Sequence, residues 1–421
     1  KEENEKLNSI KVHNDFDSMF YHFNDESESE NENDFVITNS GIISKDDAAE
    51  NYSSSTILHV DEEEEEDIID FDQSLEIGNI HYNYPWVSRL FGSLALCDVH
   101  SIQFSIDAIC NRFEDSSYFI RVQSHDDINW GHGYESNKNR MIGNGLENDD
   151  SYTGDIIPLY RYLNDFYTGN MPGSFSKGFT FAENLSTGKA SICGRTASLM
   201  GLEKAINEEE KIKKRIKNVK KPNQTAISNK LNQIANSIQN SVDRILLLHA
   251  VTASMPSMFF IFYGDEIGEF NDYSPDNADY KCEDTRYLLR GAYDWNSSSL
   301  IQKDENSYQS KIFNGIKKII DARLKCKSFS DNKRTVFIKS YSNGINYDEV
   351  DNGILIFQRI QNDDNFIIFI FNFCQYRRHL NIQKTDINGK FVDLITGEII
   401  ENINDFVING YGYLWLKSLN E

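Results

Sequence analysis

The stretch Phe119–His132, "FIRVQSHDDINWGH", runs an apolar, strand-like segment straight into Ser124, His125, Asp126 and Asp127. A core does not accept four such side chains, so the strand is expected to deliver them to a cleft. In parallel-sheet α/β proteins that cleft lies at the carboxyl ends of the strands, whose loops face the ligand. A second fully apolar run, "SMFFIFY" (Ser257–Tyr263), leads into "YGDEIG" (Tyr263–Gly268), which is expected at the same rim. For any one Asp in these clusters, helix capping or loop hydrogen bonding is the competing explanation. A metal centre of His125, Asp126 and His132 is the weaker alternative, because the second histidine sits in a glycine-flanked loop at no fixed spacing from the first. An HD-type phosphohydrolase would want its His-Asp pair in a helical pattern, and this pair follows a strand.

Around these runs the apolar spacing turns helical over Trp86–Phe113, Val242–Ala253 and Tyr308–Leu324. Strand and helix in alternation imply an α/β architecture, open sheet or barrel. After about residue 333 the pattern changes to short strands, "RTVFIKSY", "GILIFQRI", "FIIFIFNF", "KFVDLITGEII" and "YGYLWLKS", separated by turn residues. That spacing reads as a small antiparallel β-sandwich over 333–421, packed against the first domain.

The chain of 421 residues carries 66 acidic and 42 basic side chains, a net charge of -24. Attraction to phosphate backbones or anionic lipid is disfavoured, so neither nucleic acid nor a membrane is an expected partner. No apolar run reaches the length of a membrane span, and a soluble protein is expected. Its six cysteines show no C-x-x-C spacing, which points to reduced thiols rather than a zinc framework. "DESESENEND" (Asp25–Asp34) and "DEEEEED" (Asp61–Asp67) are like-charge blocks that cannot bury apolar surface. Low-complexity insertions are therefore expected near 25–34, 54–74 and 204–240, the last swinging from acidic to basic to polar. The opening "KEENEKLNSIKVHNDF" lacks the apolar core of a signal peptide. A cytoplasmic location is expected, with the true start upstream of residue 1.

"VQSHDDINW" resembles the seventh-strand motif of glycoside hydrolase family 13, the α-amylase superfamily, in the form found in amylosucrases and related sucrose-active enzymes. In the family's order follow "LNDFYTGNMPGSFSKGFTFAENLSTGKASICG" (Leu163–Gly194), "ASLMGLE" (Ala197–Glu203), "FFIFYGDEIGEFND" (Phe259–Asp272), "EDTRYLLRGAYDW" (Glu283–Trp295) and "VDLITGE" (Val392–Glu398). The resemblance implies that 1–328 is the C-terminal part of a (β/α)8 TIM barrel, strands five to eight, requiring the N-terminal half of the same barrel. It implies a sugar or oligosaccharide substrate, sucrose or an α-glucoside, and no cofactor. His125 and Asp126 match the histidine and third carboxylate that hold the hydroxyls of the reacting glucosyl ring. Asp127 would face the neighbouring ring, Arg286 in "DTR" would close the pocket floor, and Asp284 beside it would be a further substrate contact.

The family's retaining chemistry also needs a nucleophile and a general acid about 5 Å apart. Nothing in Lys1–Asp34 resembles the nucleophile segment, which is expected upstream. The best counterpart of the general-acid run is "FVITNSGIISKDD" (Phe35–Asp47), which puts Ser40 in place of the acid. A serine hydroxyl cannot protonate a leaving glycosidic oxygen. Ser191 also departs from the arginine that amylosucrases carry to contact acceptor glucan. The expectation is an amylosucrase-like glycoside hydrolase or transglucosidase whose isolated 421-residue chain is inactive. The alternatives are a degenerate family member that binds sugar or protein, and an unrelated α/β binding module.

Overall fold

In the computed structural model the described residues are 35–38, 41–44, 80–112, 117–134, 157–184, 188–217, 224–274, 284–325, 334–341, 350–362, 365–380, 382, 389–403 and 406–419. The chain divides into two units, 1–56 and 57–421. In the first, β1 (Phe35–Thr38) pairs antiparallel with β2 (Gly41–Ser44), Phe35 opposite Ser44 and Thr38 opposite Gly41. The segment expected to end a parallel barrel strand is therefore one arm of a local hairpin. Two apolar runs separated by a two-residue "NS" link close on each other more readily than on a distant sheet. Ser40 itself lies outside the described residues, as do the expected insertions at 25–34 and 54–74.

The second unit is built on a parallel sheet of β3 (Ile80–Tyr82), β4 (Ser117–Arg121) and β7 (Met258–Phe260), with β4 in the middle. The described residues hold three strands of this kind where the sequence leads one to expect four. Between β3 and β4 run α1 (Tyr84–Leu96), α2 (His100–Asp107) and a π-helical turn (Ala108–Arg112). Asn83 caps α1, its side chain accepting from the Trp86 N–H at 3.0 Å, and Pro85 fits the first turn. Trp86, Leu90, Phe91 and Leu94 form its buried stripe. The helical period of Trp86–Phe113 breaks at Cys97, which adopts φ 50°.

From β4 the chain continues through α3 (Trp130–Tyr134), α4 (Ile157–Thr168) and an antiparallel hairpin of β5 (Phe179–Asn184) and β6 (Lys189–Cys193). After the short α5 (Thr196–Leu199), α6 (Leu202–Lys217) and α7 (Gln224–Ala253) lead to β7. α7 is buried from Val242 onward, and the Trp86 indole donates to the Thr252 hydroxyl at 3.2 Å, tying α1 to α7. By contrast, none of the described residues between Ala205 and Ile234 is buried. The sequence reading of 204–240 as an excursion is thus given regular form: the distal halves of two helices, bridged by Lys230 and Glu208 at 2.8 Å. Past β7 come two 3-10 turns (Asp265–Ile267 and Thr285–Leu289), α8 (Trp295–Ser298), α9 (Leu300–Lys303) and α10 (Tyr308–Lys325).

The remaining strands are β8 (Thr335–Phe337), β9 (Ile354–Asn362), β10 (Asn365–Asn372), β11 (Arg378–Leu380), β12 (Phe391–Asp393), β13 (Ile399–Ile400), β14 (Phe406–Ile408) and β15 (Tyr413–Ser418). Six form an antiparallel sheet in the order β13-β12-β15-β10-β9-β8, and β11 pairs separately with β14. Leu355, Phe357, Phe369, Phe371 and Trp415 point into the same core as α1 and α7. Their neighbours Ile354, Ile356, Ile368, Ile370 and Leu416 point the other way, into a second core with Leu380 of β11 and Ile408 of β14. A sheet covered on both faces needs apolar residues at every position, which is why "FIIFIFNF" shows no alternation.

Candidate functional site

β4 has two unlike faces. Tyr118, Ile120 and Val122 are buried against the helices, while Phe119 and Arg121 point to the opposite face. There the rings of Tyr82, Phe119 and Phe260 form a ladder across the sheet at 5.2 and 4.8 Å, and the Arg121 guanidinium lies over Tyr82 and Tyr84. Past the strand, the buried Gln123 side chain donates to Gly194 O at 3.0 Å and accepts from the Ser124 N–H at 2.9 Å. Ile128 then bridges to Ile192 of β6 in both directions, at 2.8 and 3.0 Å. Four polar residues, Ser124 to Asp127, are thereby held in a short arch between the end of β4 and the β5–β6 hairpin.

Asp126 is the centre of this arch. Its N–H donates to the Ser124 hydroxyl at 3.2 Å, and one carboxylate oxygen, Oδ2, faces His125 Nε2 at 3.4 Å. The other, Oδ1, faces two guanidinium groups, Arg290 at 3.4 Å and Arg286 at 3.7 Å. Arg290 also donates to the His125 carbonyl at 3.3 Å. All these approaches are longer than a charge-assisted hydrogen bond, so the carboxylate keeps acceptor capacity for another donor. Both His125 and Asp126 remain partly exposed.

The structure brings Arg286, Asp284 and Asp127 to the same place. Arg286 is fixed by a two-pronged pairing with Asp284, Nε to Oδ1 at 2.9 Å and NH2 to Oδ2 at 3.0 Å, and its guanidinium lies 4.5 Å above the Phe181 ring. Asp284 also caps the 3-10 turn by accepting from the Arg286 N–H at 2.9 Å. Burial works against its charge, yet the Arg286 hydrogen bonds outweigh it and hold the Asp284 carboxyl below its ordinary value. With both oxygens engaged, Asp284 orients Arg286. Asp127 is shifted the other way: burial raises its carboxyl, only partly countered by a hydrogen bond from the Ser191 hydroxyl.

Arg290 is the member of this site that sequence reading overlooks. A signal existed: Arg286 and Arg290 stand four apart around the buried pair Leu288–Leu289, so both are turned away from the core. The second rim cluster behaves differently from the expectation. Asp265 is buried and accepts from the Thr196 hydroxyl at 3.0 Å, and Glu266 accepts from the Gly264 N–H at 2.9 Å. Gly264 and Gly268 both take positive φ, 89° and 65°, so "YGDEIG" folds into a tight turn whose carboxylates satisfy their own surroundings. Among the described residues no group of three His, Cys, Asp or Glu side chains is placed to hold a metal ion, and His132 instead stacks on Tyr84 at 5.3 Å.

Aligned over 102 positions, the chain is 26% identical to Alpha-amylase 3 of Dictyoglomus thermophilum, with 22% of this chain and 20% of that protein covered. The similarity is to an α-amylase. Among solved structures, AmyP in complex with maltose is matched over 82% of this chain and 51% of its own, at 11% identity and a TM-score of 0.41. An α-amylase from H. orenii is matched over 82% and 50%, at 10% identity and a TM-score of 0.40. The chain thus spans about half the length of these structures and a fifth of the curated relative. No family model matches the sequence.

Proposed function

We propose that this chain carries the sugar-binding part of a glycoside hydrolase family 13 active site, acting on sucrose or an α-glucoside by a retaining mechanism of the amylosucrase type. The supporting observation is Asp126, a carboxylate steered by His125 and two arginines yet left with open acceptor positions. Positive charge developing on a glucosyl ring strengthens its contact with such a group as the glycosidic bond breaks. In this reading His125 and Asp126 hold the ring hydroxyls, Arg286 backed by Asp284 forms the pocket floor, and Asp127 faces the neighbouring ring. The nucleophile and general acid come from further barrel strands flanking β3 and β7, supplied by the N-terminal half of the same barrel. The partner is a small sugar or oligosaccharide rather than nucleic acid or a membrane, and the setting is cytoplasmic.

A second reading, a sugar-binding member without catalysis, is favoured by Ser191, whose hydroxyl meets Asp127 where amylosucrases carry an arginine. Calorimetric titration with sucrose and with glucose tests both. Replacing Asp126→Asn or Arg286→Ala removes charge-assisted contacts and should weaken binding about 10- to 100-fold. Binding that ignores both substitutions would sink either reading. Sucrose cleavage by the protein with its complete barrel supports the enzyme, and tight binding without cleavage supports the second reading.

A further inference from the structure

Cys97 and Cys374 lie far apart in sequence and side by side in the fold. Cys97 ends α1, with its thiol 3.7 Å from the Phe373 carbonyl and hydrogen-bonded to the Cys374 sulfur. Cys374 follows β10. The two segments are pinned to consecutive residues at the start of β9: the Val99 N–H donates to Asn352 O at 2.9 Å, and the Phe373 N–H donates to Gly353 O at 3.0 Å. A Cβ on Gly353 would stand 2.2 Å from the Cys374 sulfur, so a glycine there is what makes room for it. Cys97 also holds a left-handed conformation, φ 50° and ψ 40°, at a helix end where Gly or Asn is the usual occupant.

We propose that Cys97 and Cys374 form a reversible disulfide that fastens the end of α1 to the six-stranded antiparallel sheet. Cys97 is the exposed partner and Cys374 the buried one, so a small-molecule disulfide lands on Cys97. Cys97 attacks one sulfur of that oxidant. A protein–oxidant S–S bond forms, the oxidant's own S–S bond breaks, the Cys374 thiolate takes the Cys97 proton, and the departing oxidant thiolate is protonated from solvent. Cys374 then gives that proton to solvent, and its thiolate attacks the Cys97 sulfur and expels the second oxidant thiolate, which is protonated from solvent. Two protein thiols lose two electrons and two protons, and one disulfide oxidant becomes two thiols. The direct hydrogen bond from Cys97, reinforced by Arg378 against burial, holds the Cys374 thiol below its ordinary value and the Cys97 thiol above it, which makes Cys374 the base for the attacking Cys97. Arg378 is in turn anchored by Asp351 at 3.4 Å. The other described cysteines, Cys110 and Cys193, are both buried, so neither offers an exposed sulfur to the oxidant.

The test uses the full 421-residue chain exposed to glutathione disulfide, quenched in acid, alkylated and mapped by peptide mass spectrometry. The expected result is a Cys97–Cys374 cross-linked peptide, loss of two free thiols, and an unfolding midpoint raised by roughly 5 °C or more over the reduced protein. Cys97→Gly, which suits the left-handed backbone, should fold and lose both the cross-link and the midpoint shift. Cys374→Ser should instead accumulate an unresolved glutathione adduct on Cys97. A parent chain that stops at the Cys97 adduct, or that cross-links other cysteines equally fast, overturns the proposal.

Discussion

Asp265 and His249 face each other across 3.9 Å in the core, and each is held neutral by burial. Burial pushes the Asp265 carboxyl from an ordinary 3.8 to about 7, against the Thr196 hydrogen bond, and lowers His249 from 6.5 to about 3. The two act on stability with opposite sign. Neutral Asp265 contributes stability that is fully present below about 4 and lost as pH rises through about 7; neutral His249 contributes stability present above 6.5 and lost as pH falls toward 3. Between about 4 and 6.5 they largely cancel. Relative to the parent, Asp265→Asn should therefore lose stability as pH falls through that window, and His249→Leu as pH rises through it, each by up to about 1.4 kcal/mol per pH unit. Denaturant melts at several pH values check this, and curves parallel to the parent would refute it. Gly410 gives a steric counterpart. A Cβ there would meet the Gln375 carbonyl oxygen at 2.1 Å, and backbone cannot swing aside, so Gly410→Ala should cost about 1–3 kcal/mol. The same change at Gly173, with open space but φ 88°, should cost only the backbone strain, about 1 kcal/mol.

At the level of elements, α7 is one helix with two environments. Its first half meets solvent alongside α6, and from Val242 it is walled in by α1, α10 and the parallel sheet. Helical propensity and surface Lys-Glu pairs, Lys230–Glu208 at 2.8 Å between α7 and α6 and Lys213–Glu209 at 2.8 Å within α6, suffice for the outer half, each pair adding only a few tenths of a kcal/mol. Replacing 207–232 by a short turn should leave the unfolding free energy within about 1 kcal/mol of the parent. Leu247→Ala, in the inner half, should cost about 2–5 kcal/mol through the cavity it leaves. Equal losses from both changes, measured by chemical denaturation, would mean that the outer hairpin is a structural part of the domain. The weak periodicity of this stretch has the same origin, since a helix half with nothing to bury has no reason to keep an apolar stripe.

For the molecule as a whole, the notable surface is the open face of the parallel sheet. Tyr82, Met258 and Phe260 are 45%, 36% and 44% exposed there, beside the Phe119 ring. An apolar aromatic face flanked by strand edges favours self-association. The 421-residue chain alone should form concentration-dependent oligomers in sedimentation experiments, and the double substitution Met258→Lys, Phe260→Lys should shift them toward monomer. Addition of the N-terminal barrel half should do the same for the parent chain. A chain that is monomeric at high concentration would count against the half-barrel reading.

What the sequence determined by itself lay in local pattern. Apolar runs located β4, β7, β9, β10 and β15, helical spacing located α10 and the inner half of α7, and an apolar run ending in Ser-His-Asp-Asp located the arch around Asp126. These features are legible because burial imposes a period and a polar interruption of it stands out. The short strands β11 and β14 escaped notice because Arg378–Leu380 and Phe406–Ile408 are set among polar residues and belong to no longer apolar run. The tertiary structure decided the rest. It turned Asp265 inward while leaving Asp126 partly exposed, although both follow apolar strands, because Thr196 and His249 wait behind one and two arginines in front of the other. It set Arg290 beside Arg286 on Asp126, joined Cys97 to Cys374, and closed "FVIT" on "GIIS" as a hairpin. Each of these depends on which segments meet in space, and pairwise proximity between distant residues is not written in the period of either one.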